Sequence, residues 1–227
     1  MIEALIFDFD GVIIDTETPD YETWQEVFNA NGAQLDRSLW QRVIGGGIEK
    51  FDVCSHLEAI SGVRLNQDDL RSRRDRYHAL VRSSPLLPGV LEYIEDARRL
   101  GLKLGVASSS TRVWVEGHLV ERGLRAHFDC VLTAEDVDKI KPDPGLYLAA
   151  LNRLDTFPDC AVAIEDSLNG VVAAKGAGMF CVAVPNQMTT DLPLEDADLR
   201  LGSLSEMGLQ CLLDTLTGTQ ENSSTPS

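Results

Sequence analysis

The chain's 227 residues are enough for one large domain, or for a core domain with a smaller insertion. Its 44% hydrophobic and 25% charged residues are the composition of a globular protein, and no apolar run approaches the ~20 residues that a membrane helix requires. A formal net charge of −16 argues against nucleic-acid binding, which depends on cations that neutralise phosphates, and means that a small anionic substrate would need a locally positive site.

The opening Met1-Ile2-Glu3 lacks the basic stretch and small-residue cleavage site of a signal peptide, so the expectation is a cytoplasmic protein. The apolar run Ala4, Leu5, Ile6 leads straight into Phe7-Asp8-Phe9-Asp10-Gly11. A strand buried on both faces reads as continuous apolar sequence. Asp is seldom buried unless it is paired or metal-bound, so two carboxylates where such a strand should end point to a site.

Residues 10–102 separate this strand from the next apolar run, far too many for one crossover helix. Over 16–84 the periodicity is helical: Tyr21, Trp24, Val27 and Phe28 form one stripe ending at Asn31-Gly32, and Leu70, Tyr77, Leu80 and Val81 suggest another. The spacing predicts a small helical insertion over 16–84, with Pro85 and Pro88-Gly89 marking the return linker. Further β-rich runs follow at Lys103 to Ala107, Cys130 to Thr133, Ala161 to Ile164 and Phe180 to Val184, alternating with helical patterns. With Ala4 to Phe9 they predict an α/β fold, a doubly wound parallel sheet built from 1–15 and 85–216. Residues 217–227 are polar and unpatterned and are expected to form a disordered tail. The five cysteines are widely spaced without a Cys-x-x-Cys, and they read as reduced structural thiols.

Open α/β sheets bind ligands in the crevice beyond the carboxyl ends of their strands. There lie Asp8 and Asp10, then Ser108-Ser109-Ser110, then Lys141-Pro142 after the third strand, and Glu165-Asp166-Ser167 after the fourth. Clustered carboxylates repel unless a cation joins them, and hard oxygen ligands favour Mg2+, with phosphate completing its shell. Asp8 is the candidate nucleophile toward phosphorus. Asp10, two residues on and on the same side of an extended strand, suits a general acid and base. Ser108, the N–H groups after it and Lys141 are candidate phosphate ligands.

Asp8-Phe9-Asp10-Gly11-Val12, Ser108, Lys141-Pro142 and Glu165-Asp166-Ser167 resemble, in order and spacing, the four motifs of the haloacid dehalogenase-like (HAD) hydrolase superfamily. The helical insertion resembles the cap of its β-phosphoglucomutase and phosphoglycolate phosphatase subgroup. The resemblance implies a HAD-like Rossmannoid core with a helical cap and an aspartyl-phosphate on Asp8. It also implies Mg2+ held by Asp8, the main-chain carbonyl of Asp10 and Asp166, with Glu165 in the outer shell, and phosphate bound by Ser108, Ser109 and Lys141. Dehalogenases lack the second acid of the first motif, and phosphonatases replace it and use a cap lysine. The mutases typically carry a histidine at the position of Asp20 and an arginine near 45–49, so a phosphatase is favoured. The mutase and a non-catalytic binding protein remain the alternatives. The expected partner is a small phosphorylated metabolite, with no nucleic acid and no membrane, and the chain is expected to be a monomer.

Taken singly, the same motifs have ordinary readings. Asp-x-Asp-x-Gly also occurs in calcium loops and turns, Ser108 to Ser110 suits a helix N-cap, Ser167 suits the cap of the helix through Lys175, and 45–47 suits a flexible turn. Arg71 to Arg76 reads first as a solvated helix face, with Arg73 or Arg76 reading an anionic leaving group as the functional alternative. The four histidines show no ligand or triad spacing.

Overall fold

A computed structural model describes residues 1–41, 44 and 52–223. The chain runs β1 (Ala4–Phe7), α1 (Glu17–Ala30), α2 (Arg37–Gln41), α3 (Val53–Ser61), α4 (Gln67–Ser83), α5 (Val90–Arg99) and β2 (Lys103–Ala107). It continues through α6 (Arg112–Glu121), β3 (Cys130–Leu132), α7 (Gly145–Leu154), β4 (Ala161–Glu165), α8 (Leu168–Gly176), β5 (Phe180–Ala183), β6 (Leu199–Arg200) and α9 (Leu209–Ser223). The strands make one parallel sheet in the order β3-β2-β1-β4-β5-β6. Side chains alternate across a strand: Leu5 and Phe7 pack on one face with α5, α6 and α9, whereas Ala4 and Ile6 pack on the other with α7 and α8. Burying each large apolar side chain contributes roughly 1.5–3 kcal/mol, and both layers need helices to cover them.

Three features differ from expectation. The first strand stops at Phe7, because after the Asp8 N–H reaches the Ile164 carbonyl (2.9 Å) the chain turns, with Ile13 donating to Phe9 (3.0 Å) and Gly11 to Ile14 (2.8 Å). Asp8 and Asp10 therefore do not share one extended strand. A sixth strand of two residues, β6, pairs with β5 and is too short to leave an apolar pattern. The stretch 217–227, expected to be a disordered tail, begins inside a helix: buried Leu209, Leu212 and Leu216 anchor α9, the Thr217 hydroxyl bonds the Leu213 carbonyl (2.9 Å), and α9 runs to Ser223, while 224–227 lie outside the described residues.

The helices between Glu17 and Ser83 gather their own apolar cluster of Phe28, Leu35, Trp40, Ile44 and Leu57, closed by Met188 from the loop after β5. Asp52 caps α3, and Asn66 with Asp69 forms a capping box on α4, which explains where these helices begin. The two connecting segments bond to each other through an Ile14–Leu86 bridge and Leu87 N–H to Ile13 O at 3.0 Å. The expected turn at 45–47 lies outside the described residues. Among the described residues, no helix is long and apolar enough to cross a membrane.

Candidate active site

β1 lies between β2 and β4, so the chain passes to opposite sides of it and opens a crevice at the carboxyl ends. A cavity of about 500 Å³ occupies this place, and Asp8, Asp10, Glu17, Ser109, Lys141 and Asp166 are among the residues lining it. Each of these six lies just beyond a strand or in the first turn of a helix, except Lys141, which stands in the loop before α7.

Lys141 is the electrostatic centre. Its ammonium, almost wholly buried, sits 3.0 Å from Asp8 Oδ1 and 2.5 Å from Glu165 Oε1. Glu165 is fully buried and saturated: its Oε1 also accepts from the Tyr147 hydroxyl (2.5 Å), and its Oε2 accepts from the Asp166 N–H (3.3 Å) and the Ser167 hydroxyl (3.5 Å). Asp166 Oδ2 accepts from the Asn186 amide at 2.7 Å, and the same nitrogen reaches the Gly11 carbonyl at 3.3 Å. Gly11 has φ +78°, and a Cβ there would overlap the Asp166 carboxylate, so the turn after Asp10 requires glycine.

One lysine cannot neutralise three carboxylates. Burial pushes the Asp8 carboxyl up to about 7 against the pull of Lys141, with Glu165 and Asp10 adding to the rise. Burial, then Asp8 and Glu165, raise Asp166 well above the carboxylate range. Glu17 is pushed up to about 8 by burial and by Asp10, Asp15 and Asp8. Oxygens of Asp8, Glu165 and Asp166 lie within 4.8 Å of one another. A hard, oxygen-only donor set with uncompensated charge fits a divalent cation such as Mg2+.

Asp10 faces three side-chain donors: Ser110 Oγ (2.6 Å) and Ser108 Oγ (3.2 Å) on Oδ2, and Trp114 Nε1 (2.8 Å) on Oδ1. Ser108 is fully buried, with its hydroxyl also accepting from the Ser110 N–H (3.0 Å), so Ser109, Ser110 and Thr111 form the cavity wall at this strand end. Among the described residues, Ser109 Oγ is buried there without a hydrogen-bond partner. The helix after β2 is preceded by Thr111 rather than capped by this serine cluster, whereas Ser167 does cap α8 through the Gly170 N–H (3.2 Å).

Arg73 turns away from the cavity onto Asp20, lying over Trp24 and Tyr77 at 4.5 and 5.3 Å, and Arg76 pairs at the surface with Glu26 (3.5 Å). His78 reaches the cavity wall, and His118 is buried behind it against Trp114. Sequence reasoning missed Tyr147, Asn186 and Trp114. Asn186 follows β5, so applying the strand-end rule to the fifth strand would have found it. The other two carry only helical spacing.

Gly170, in the first turn of α8, approaches Glu165 so closely that a Cβ there would overlap its carboxylate. Gly170→Ala is expected to displace Glu165 and cost about 1–3 kcal/mol. At ~2–4 °C per kcal/mol for a chain of this size, a melting scan reads the loss directly, and an unchanged midpoint contradicts the packing argument.

The family model for haloacid dehalogenase-like hydrolases matches residues 5–184. YhcW of Bacillus subtilis (strain 168), which carries "phosphatase" in its name, is 48% identical over 219 residues, spanning 95% of this chain and 98% of that protein. Validoxylamine A 7'-phosphate phosphatase of Streptomyces hygroscopicus subsp. limoneus is 31% identical over 209 residues, 91% of this chain and 96% of that one. A crystal structure of CbbY from Rhodobacter sphaeroides in complex with xylulose-(1,5)bisphosphate superposes with a TM-score of 0.74 at 32% identity, covering 93% of this chain and 99% of that one.

Proposed function

This chain belongs to the haloacid dehalogenase-like hydrolases and is a phosphatase, and from that premise we propose that it is a Mg2+-dependent enzyme hydrolysing a small phosphorylated metabolite through an aspartyl-phosphate on Asp8. The observation that carries this reading is the buried Asp8–Lys141–Glu165 array beside Asp166, at the end of the strand where the sheet opens.

In the first step an Asp8 oxygen bonds to phosphorus as the ester P–O bond breaks, and Asp10 gives its proton to the departing alkoxide, which leaves as the alcohol. Water then attacks phosphorus, losing its proton to Asp10 and releasing phosphate and the Asp8 carboxylate. Lys141 and the Ser109 hydroxyl hold the non-bridging oxygens. Asp8, the Asp10 carbonyl and Asp166 would ligate Mg2+, with Glu165 in the outer shell. The ion would offset the repulsion between the Asp8 carboxylate and the phosphate.

Water, rather than a second sugar hydroxyl, accepts the phosphoryl group in this reading, because the Asp20 side chain is occupied by Arg73 and does not line the cavity. The helices between Glu17 and Ser83 act as a cap over 16–84, contributing Glu17, Tyr77 and His78 to the wall, and the cap selects the substrate.

The test is a phosphate-ester panel with Mg2+ and with EDTA. Expected are turnover of sugar or polyol phosphates, its loss in EDTA, and a raised melting temperature in Mg2+, since saturation at about 100-fold over Kd stabilises by ~2.7 kcal/mol. No turnover of any ester, or full activity in EDTA, overturns the proposal.

A further inference from the structure

Asp10 is held by two kinds of donor that respond differently to a proton. The Ser108 and Ser110 hydroxyls on Oδ2 can each donate or accept, so they stay bonded whether that oxygen is ionised or protonated. The Trp114 indole on Oδ1 only donates, and it therefore keeps Oδ1 an acceptor.

The indole is also immobilised. Its ring stacks on Tyr77 of α4 (centroids 5.6 Å apart, planes 13° apart) and meets the edge of buried His118 at 4.3 Å. His118 stacks in turn on Phe9, beside Asp10 in the chain, and its Nδ1 lies 3.0 Å from Arg122 Nη1. Arg122 donates to the Val81 and Ser84 carbonyls at the end of α4, at 2.8 and 3.3 Å. Trp114 thus touches the carboxylate on one side and the helical insertion on the other.

We propose that Trp114 is a positioning residue for the proton relay: it pins Asp10 Oδ1, so that the proton given to the leaving group and recovered from water is carried by Oδ2, and its stack on Tyr77 ties that arrangement to the cap helix. This rests on the phosphatase reading in which Asp10 is the acid and base. The proton leaves Oδ2 for the alkoxide oxygen as the ester bond breaks, and it returns to Oδ2 from the attacking water.

Trp114→Phe keeps the ring contacts and removes the N–H. The readout is kcat/KM across phosphate esters whose leaving groups range from alkyl alcohols, which need a proton, to p-nitrophenol, which does not. A hydrogen bond to a charged group justifies an expected loss of about 10- to 100-fold for alkyl phosphates, with p-nitrophenyl phosphate changed by less than ~3-fold, so that the dependence on leaving-group basicity steepens in the direction also expected for Asp10→Asn. A merely structural role would lower all substrates by the same factor, and that result, or no loss at all, overturns the proposal.

If Trp114→Phe does not fold, Tyr77→Leu carries the test. It frees the indole from the opposite side and is expected to steepen the same dependence more weakly, and a uniform loss again overturns the proposal. Steepening in Asp10→Asn without steepening in the Trp114 variant refutes Trp114 alone. Absence of turnover in the unaltered protein refutes the phosphatase reading and this inference with it.

Discussion

Replacing Asp8 by Asn is expected to lower ester hydrolysis by at least about 10³-fold, on the order seen when a nucleophile is removed, and to abolish the phosphate adduct that intact-mass spectrometry would detect on the unaltered protein. The amide keeps the volume, but its neutral oxygen is a far weaker nucleophile toward phosphorus than the carboxylate. This variant should also melt no lower than the parent. Burial pushes the Asp8 carboxyl up to about 7, so the ionised group is disfavoured in the fold, and a neutral amide removes that penalty while Lys141 keeps Glu165 as its partner. An inactive Asp8→Asn that is as stable as the parent separates lost chemistry from lost structure. Residual activity above about a tenth of the parent's would exclude Asp8 as the nucleophile.

Lys141→Met is expected to damage both activity and stability. The ammonium lies between Asp8 and Glu165 with almost no solvent contact, and removing one partner from a buried ion pair typically costs ~3–5 kcal/mol. For a chain of this size that corresponds to a fall in melting temperature on the order of 10 °C. Burial opposes the charge on Lys141, yet Asp8 and Glu165 together hold it protonated well above the usual lysine range, so the loss should persist throughout the neutral region. Mg2+ should recover part of the stability of Lys141→Met by supplying positive charge to the same carboxylates, and little of the activity. A midpoint within 2 °C of the parent, measured without divalent ions, would contradict the central place of this lysine.

Much of the core was legible because its signals are local. Lys103–Ala107 forms the strand that its apolar run predicts, and the first-strand acids, Lys141 and Glu165-Asp166 meet in one crevice, since each follows an apolar run or a loop that ends at the same edge of the sheet. Where side chains point was less legible. Ser108 reads as a phosphate ligand in sequence, yet it is buried with its hydroxyl on Asp10, leaving Ser109 to face the cavity. Arg73 reads as a solvated charge or a substrate reader and instead pairs with Asp20, 53 residues away in the chain.

By itself the sequence determined the alternation of strands and helices, the helical insertion and the acids at the strand ends, because buried strands demand apolar runs and buried carboxylates demand a purpose. Only the tertiary structure decided which donors hold each acid. Trp114 reaches Asp10 across 104 positions, and Asn186 reaches Asp166 from the loop that also carries Met188 into the cluster of the insertion. Such pairings depend on crossing angles and side-chain directions set when the layers pack, and no periodicity in the chain encodes them.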